Sequence, residues 1–171
     1  MKHRTPWSAA LLCWLLCLAL LTACGGSSAE TETAGSCTVS ISCATILDNL
    51  DQLNAAKADF VPGDGVILPE TELSFTEGET AFDLLQRVCR DNGISMESSW
   101  SPLYKTAYIE GIANLYEFDC GKLSGWMYSV NGEFPNYGCS GYTLQDGDVI
   151  CWVYTCDLGE DVGGGYAAGG E

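Results

Sequence analysis

Glu77-Gly78-Glu79-Thr80-Ala81-Phe82-Asp83-Leu84-Leu85-Gln86-Arg87-Val88-Cys89-Arg90-Asp91-Asn92-Gly93 is the stretch on which the fold turns. Glu77-Gly78-Glu79 reads as a turn. Thr80 then offers a hydroxyl to cap a helix, and Asp83 stands three residues on, where its carboxylate reaches back. Phe82, Leu85 and Val88 or Cys89 recur at helical spacing and form one apolar face. Gly93 suits the left-handed position that closes a helix. The segment is the clearest helix in the chain.

Strand candidates stand on both sides of it. Upstream, Cys37-Thr38-Val39-Ser40-Ile41-Ser42-Cys43 alternates with period two, as a half-buried strand does. Ile46, Leu47, Leu50 and Leu53 predict a short helix over 44–57. Val61-Pro62-Gly63-Asp64-Gly65 is a turn cluster. Val66-Ile67-Leu68 and Leu73-Ser74-Phe75 read as short strand pieces around Pro69. Downstream, Ile94 to Trp100 and Ala107 to Ile112 are strand candidates. Gly125 to Val130 alternates, with Trp126, Tyr128 and Val130 on one face. Asn131-Gly132 is a turn, and Val149 to Thr155 is the last strand, entered through the turn Gln145-Asp146-Gly147-Asp148. Strands before and after a single main helix predict an α+β fold, a mixed sheet packed on that helix.

The ends of the chain read differently. Lys2 and Arg4 precede an uncharged apolar run from Trp7 to Leu21, and small residues then lead into Cys24. The run is short for a membrane span, which takes roughly 20 apolar residues. It has the form of a secretory signal peptide over 1–23. Leu21-Thr22-Ala23-Cys24 resembles a bacterial lipobox, and that resemblance implies acylation of Cys24 and an extracytoplasmic, lipid-anchored protein. Residues 24–36 are rich in Gly, Ser, Thr, Ala and Glu and read as a flexible tether. One domain is expected over 37–161, and the Gly-rich tail 162–171 is expected to be disordered.

The chain carries 7 basic and 23 acidic side chains, a net charge of −16. Lys2 and Arg4 belong to the expected signal, so the mature part is more acidic still. Such a surface repels nucleic acid, whose binding depends on Lys and Arg meeting phosphates. The one histidine is His3, so a mature chain has none. That removes the Ser-His-Asp and Cys-His arrangements and the commonest transition-metal ligand. No motif pairs two carboxylates or sets out a calcium loop, and no catalytic or metal residue is assigned. A carboxylate-based hydrolase is the remaining enzymatic alternative. Seven cysteines follow Cys24: Cys37, Cys43, Cys89, Cys120, Cys139, Cys151 and Cys156. An exported domain is expected to be disulfide-stapled. Seven is odd, so one thiol stays unpaired within the chain.

Five blocks resemble the transcobalamin-like C-terminal domain of bacterial surface proteins. They are Cys37 to Cys43; Glu77 to Leu85; Tyr108-Ile109-Glu110-Gly111-Ile112; Gly125-Trp126-Met127-Tyr128-Ser129-Val130-Asn131-Gly132; and Leu144 to Tyr154. The resemblance implies a β-grasp-like sheet wrapping one helix, with the first and last strands adjacent and parallel. On that topology the ends of those strands meet, which implies a Cys43–Cys156 bridge. Cys120 and Cys139 flank the Trp126 hairpin at its open end and are the second expected pair. The resemblance also implies a ligand, with a corrinoid as one candidate, although the helical barrel that completes the family's ligand site has no counterpart in this sequence.

Flat ligands are held by aromatic walls and a few polar groups. Phe134 and Tyr137 are loop aromatics and the leading ligand-binding candidates, with Trp126, Tyr128, Asn131 and Asn136 beside them. Trp126 and Tyr128 share their face with Val130, which also suits packing under the helix. Trp100 and Tyr104, flanking Pro102, make a second exposed-aromatic group. The function expected is a binding module, anchored through Cys24, that captures a small molecule such as a corrinoid and passes it to an importer. The alternative is a surface module that binds protein or glycan. A concave aromatic pocket favours the first, and a flat or edge-strand aromatic patch favours the second.

Overall fold

A computed structural model describes residues 33–165. The expected signal peptide, Cys24, and most of the tether lie outside the described residues, as does the tail from 166 onward.

Strand β1 (Thr33–Ser42) is the organising element. Its alternation buries Cys37, Val39 and Ile41 on one face. On one side it pairs antiparallel with β2 (Val66–Thr76). On the other it pairs parallel with the last strand, β7 (Val149–Thr155), from Thr38↔Val149 to Ser42↔Val153. Strand β6 (Gly125–Val130) pairs antiparallel with β7 and completes a mixed sheet of order β2-β1-β7-β6. The first and last strands thus lie side by side at the centre of the sheet, as expected.

Helix α1 (Ala81–Asn92) covers this sheet. Thr80 Oγ1 accepts from the Asp83 N–H at 3.2 Å, and the Thr80 N–H donates to Asp83 Oδ2 at 3.0 Å, so both halves of the capping box are made. Gly93 ends the helix at φ 67°. The buried face is Ala81, Leu84, Leu85, Val88 and Cys89. It packs with Val39, Ile41, Ile150 and Trp152 into the main core. Each large side chain so buried is worth about 1.5–3 kcal/mol. A second sheet, β3 (Met96–Ser101), β4 (Thr106–Ile112) and β5 (Leu115–Tyr116), adds Ala107, Ile109 and Ile112 to the same core. The described residues form an α+β fold, seven strands in two sheets with one main helix.

Several local expectations change. The helix expected over 44–57 is two 3-10 turns, Ala44–Asp48 and Ala55–Phe60. Ile46 is buried but Leu50 is exposed, so the apolar spacing never forms one face. Asn54 ends the intervening stretch by accepting from the Ala56 N–H and donating its own N–H to the Asp119 carbonyl. The two strand pieces around Pro69 are one strand. β2 is an edge strand, where a missing N–H is tolerated, and its register with β1 shifts between Val39↔Thr71 and Ile41↔Leu68. β1 also starts inside the expected tether, because Thr33 and Gly35 pair with Thr76 and Phe75. At the other end Val162 lies in a 3-10 turn, Glu160–Val162, just within the expected tail.

A smaller cluster of Cys43, Ile46, Leu115, Cys120, Tyr154 and Cys156 closes one end of the domain. Among the described residues no disulfide is present and all seven thiols are free. Cys43 and Cys156 share this cluster, whereas Cys139 lies in the main core, apart from Cys120. No helix among the described residues is long and apolar enough to cross a membrane.

Candidate binding surface

Of the β6 aromatics, Tyr128 is a core residue and Trp126 packs, partly buried, against the core. Tyr128 stacks on Trp152 with ring centroids 5.5 Å apart, and its hydroxyl donates to the Tyr137 carbonyl at 2.9 Å. Trp126 meets Tyr154 edge-on at 5.2 Å and donates its Nε1–H to the Leu115 carbonyl at 2.8 Å. Tyr128 thus ties the sheet to the loop at Tyr137 and Trp126 ties it to β5, which is the packing role their shared face with Val130 allowed. Burial holds the Tyr128 phenol well above its usual pKa.

Asn131 is also committed internally. It sits in the left-handed region at φ 54°. Its Nδ2 donates to Asp148 Oδ1 at 3.0 Å, and its Oδ1 accepts from the Val149 N–H at 2.8 Å. Asp148 Oδ2 accepts from the Tyr142 hydroxyl and the Gln145 N–H, both at 2.8 Å. Asp146-Gly147-Asp148 is therefore a turn, with Gly147 at φ 85° donating its N–H to the Ser36 carbonyl.

The loop after Asn131 divides. Phe134 is half-buried, and Gly164 lies so close that a Cβ there would come within 2.5 Å of the phenyl ring. Asn136 and Tyr137 are exposed. Gly138 then fits over the start of β4, where an added Cβ would stand 1.9 Å from Thr106 Oγ1. Ser140 Oγ lies 2.8 Å from the same Oγ1 and accepts from the Ala107 N–H at 3.0 Å. These contacts bring the 131–141 loop to the tip of the β3–β4 hairpin.

That tip is apolar and open. Trp100 is 61% exposed, Leu103 80%, Tyr104 76%, and Tyr137 across the Gly138–Thr106 contact 50%. Trp100 pairs with Ala107 in the hairpin register, so the two share a face. β3 is an edge strand of its sheet. Its outer backbone groups are available to another strand. Of the sequence candidates, the fold thus gathers Tyr137 with Trp100 and Tyr104, packs Tyr128 and the partly buried Trp126 against the core, and engages the exposed Asn131 in the Asp148 turn. Leu103 carries no sequence mark beyond its place beside Pro102. Gly138 is legible as a turn residue only, because its role depends on Thr106 arriving from 32 positions away.

A cleft of about 350 Å³ lies at the end of α1, lined by Gln86, Cys89, Arg90, Ile94 and Met96, and none of the aromatic candidates lines it. Many carboxylates serve local structure: Asp83 in the cap, Asp119 accepting from the Tyr116 N–H, Asp146 from the Ser36 N–H, and Asp161 from the Cys156 N–H. Among the described residues no three His, Cys, Asp or Glu side chains are grouped to hold a metal ion.

Residues 78–156, from the turn before α1 to the end of β7, match the family model described as "Domain of unknown function (DUF4430)". No curated protein matches the chain. Among solved structures, a Ruminococcus gnavus protein provisionally described as metal binding is 18% identical, with a TM-score of 0.39, over 71% of this chain and 96% of that one. Haptocorrin in complex with Cbi is 17% identical, with a TM-score of 0.46, over 77% of this chain. The chain spans 28% of haptocorrin's length.

Proposed function

We propose that this chain is a lipid-anchored extracytoplasmic binding module, without catalytic activity, that engages a partner protein through its aromatic end. The anchor is the acylated Cys24 read from the sequence. The observation that carries the reading is the cluster of exposed Trp100, Leu103, Tyr104 and Tyr137 on a hairpin tip and adjoining loop. Exposed apolar patches of this kind mark interaction sites, and aromatic anchors dominate such interfaces. β3 offers a free edge beside them, so a partner strand can add to the sheet while the rings fill its pockets. The acidic surface repels nucleic acid and anionic lipid faces alike.

A small molecule held by the domain alone fits this geometry less well, because these four side chains are 50–80% exposed, whereas a small-ligand pocket encloses most of its ligand. The transcobalamin-like resemblance keeps a corrinoid as the second reading, with a covering wall supplied by an importer. Site-specific photocrosslinking decides between them. A benzophenone side chain at position 104, in cells that make the protein, is expected to give one discrete adduct that mass spectrometry identifies. The same probe at Asp48 gives none, and Trp100→Ala removes the adduct. No adduct from 104, together with saturable calorimetric heat from cobinamide that Trp100→Ala abolishes, overturns the protein-partner reading for the corrinoid one.

A further inference from the structure

The smaller cluster holds three cysteines, Cys43, Cys120 and Cys156. The thiols of Cys120 and Cys156 converge on the same 3-10 turn. Both are buried. The first 3-10 turn holds them in place from one side. The Cys120 thiol donates to the Asn49 carbonyl at 3.4 Å, and the Cys156 sulfur lies 3.8 Å from Thr45 Oγ1. Asn49 and Thr45 are themselves linked, Asn49 Nδ2 donating to the Thr45 carbonyl at 2.9 Å. The backbone is fixed as well. The Cys120 N–H donates to Ser124 Oγ at 3.1 Å, and the Cys156 N–H donates to Asp161 Oδ2 at 2.7 Å. Tyr154 binds the same Ser124 hydroxyl at 2.9 Å, joining the two anchored segments.

We infer that Cys120 and Cys156 are a disulfide-forming pair, closed when the folding chain meets a small-molecule or protein disulfide as oxidant. One protein thiolate attacks a sulfur of the oxidant, forming a mixed disulfide and releasing one oxidant thiol. The second protein thiolate then attacks the protein sulfur of that mixed disulfide and releases the other. Two protein thiols lose two electrons and two protons, and the oxidant disulfide gains them as two thiols. The pair replaces both bridges expected from the sequence, because Cys43 and Cys139 each lose their assigned partner.

The timing follows from the surroundings. Burial pushes the Cys156 thiol up to about 12 and raises Cys120 too. Only the thiolate reacts, so the folded dithiol exchanges slowly. The bridge therefore closes before the cluster is sealed and resists reduction afterwards. It would pin the turn before β6 to the end of β7 and close a long loop, where cross-linking constrains the unfolded chain most.

Non-reducing peptide mapping tests this on the full chain refolded in a glutathione/glutathione-disulfide buffer and then alkylated. Trypsin leaves Cys120 alone in residues 106–122 but places Cys139, Cys151 and Cys156 together in 123–171. Chymotrypsin, cutting after Trp152 or Tyr154, isolates Cys156 from the other two. The expected product is a cross-linked pair containing Cys120 and Cys156. Reductant should then lower Tm by about 10 °C. Cys120→Ser and Cys156→Ser should each remove that dependence. A chain with both cysteines alkylated, or with either linked to Cys43, Cys139 or Cys151, overturns the assignment. Mapping needs only the parent chain, so the pairing is read even where a variant fails to fold.

Discussion

Asn131 and Asp148, 17 positions apart, hold each other across the turn end of the β6–β7 pair, Nδ2 to Oδ1 at 3.0 Å. Asn131 is a candidate ligand contact in the sequence, and in the fold its side chain fixes the Asp148 turn. Asn131→Gly keeps the left-handed backbone and removes only the side-chain bonds. It is expected to cost about 1–3 kcal/mol, because a buried carboxylate oxygen loses its donor. Asn136→Ala, on the exposed part of the same loop, is expected to stay within about 0.5 kcal/mol. Urea denaturation of the two variants beside the parent checks both values.

Stability should fall on the alkaline side. Burial pushes the Cys139 thiol up to about 11 from an ordinary value of 9.0. Burial, then the hydrogen bond to Asp148, pushes the Tyr142 phenol up to about 12, and burial does the same for Tyr154. All three stay protonated in the folded chain at a pH where the unfolded chain has begun to lose those protons. Their contribution is whole below about pH 9 and is lost as pH rises through about 12. Urea midpoints between pH 8 and pH 11 should therefore decline steadily. A flat profile across that range would contradict the burial of these groups.

Trp152 is fully packed, yet its indole N–H has no partner among the described residues. Trp152→Ala empties the space under Tyr128 and should cost about 3–5 kcal/mol. Trp152→Phe also removes the orphaned donor, and that relief offsets part of the lost volume. Its cost should come in well below that of the alanine variant. Equal losses in thermal denaturation would show that the N–H carries no penalty.

The Gly138–Thr106 contact sets the aromatic end. Gly138 has an ordinary φ of −74°, so alanine there is opposed by space and not by backbone strain. Gly138→Ala should destabilise by about 1–3 kcal/mol through overpacking. Thr106→Gly deletes all three atoms that the new Cβ would meet. In a double-mutant cycle it should recover part of that loss. Simple additivity would mean that the loop and hairpin do not press on one another.

The elements legible in the sequence were those whose pattern is local. The Thr80–Asp83 cap, Gly93, the alternation of β1 and the Asn131-Gly132 turn each depend on neighbours in the chain, and each stands where it was read. The run from Ile46 to Leu53 misled because its apolar residues go to different surroundings, Ile46 to a core and Leu50 to solvent. β5, two residues long, carries no periodicity at all. For the binding surface, exposure separated Tyr137 from Tyr128, and exposure is decided by which strand arrives on top. The convergence of Cys120 and Cys156 on one 3-10 turn is set by the same long-range arrival, Cys120 reaching the Asn49 carbonyl and Cys156 reaching Thr45 Oγ1, and nothing near either residue announces it.

Placing β1 against β7 at the middle of the main sheet has a consequence for biogenesis. A chain emerging N-terminus first makes its central strand at the outset and waits until the final one is complete before that strand gains its inner neighbour. Pairing of such distant segments is slow, because loop closure precedes any reward. The emerging polypeptide therefore stays open for most of its synthesis, the state in which a chain can still be threaded through a narrow channel.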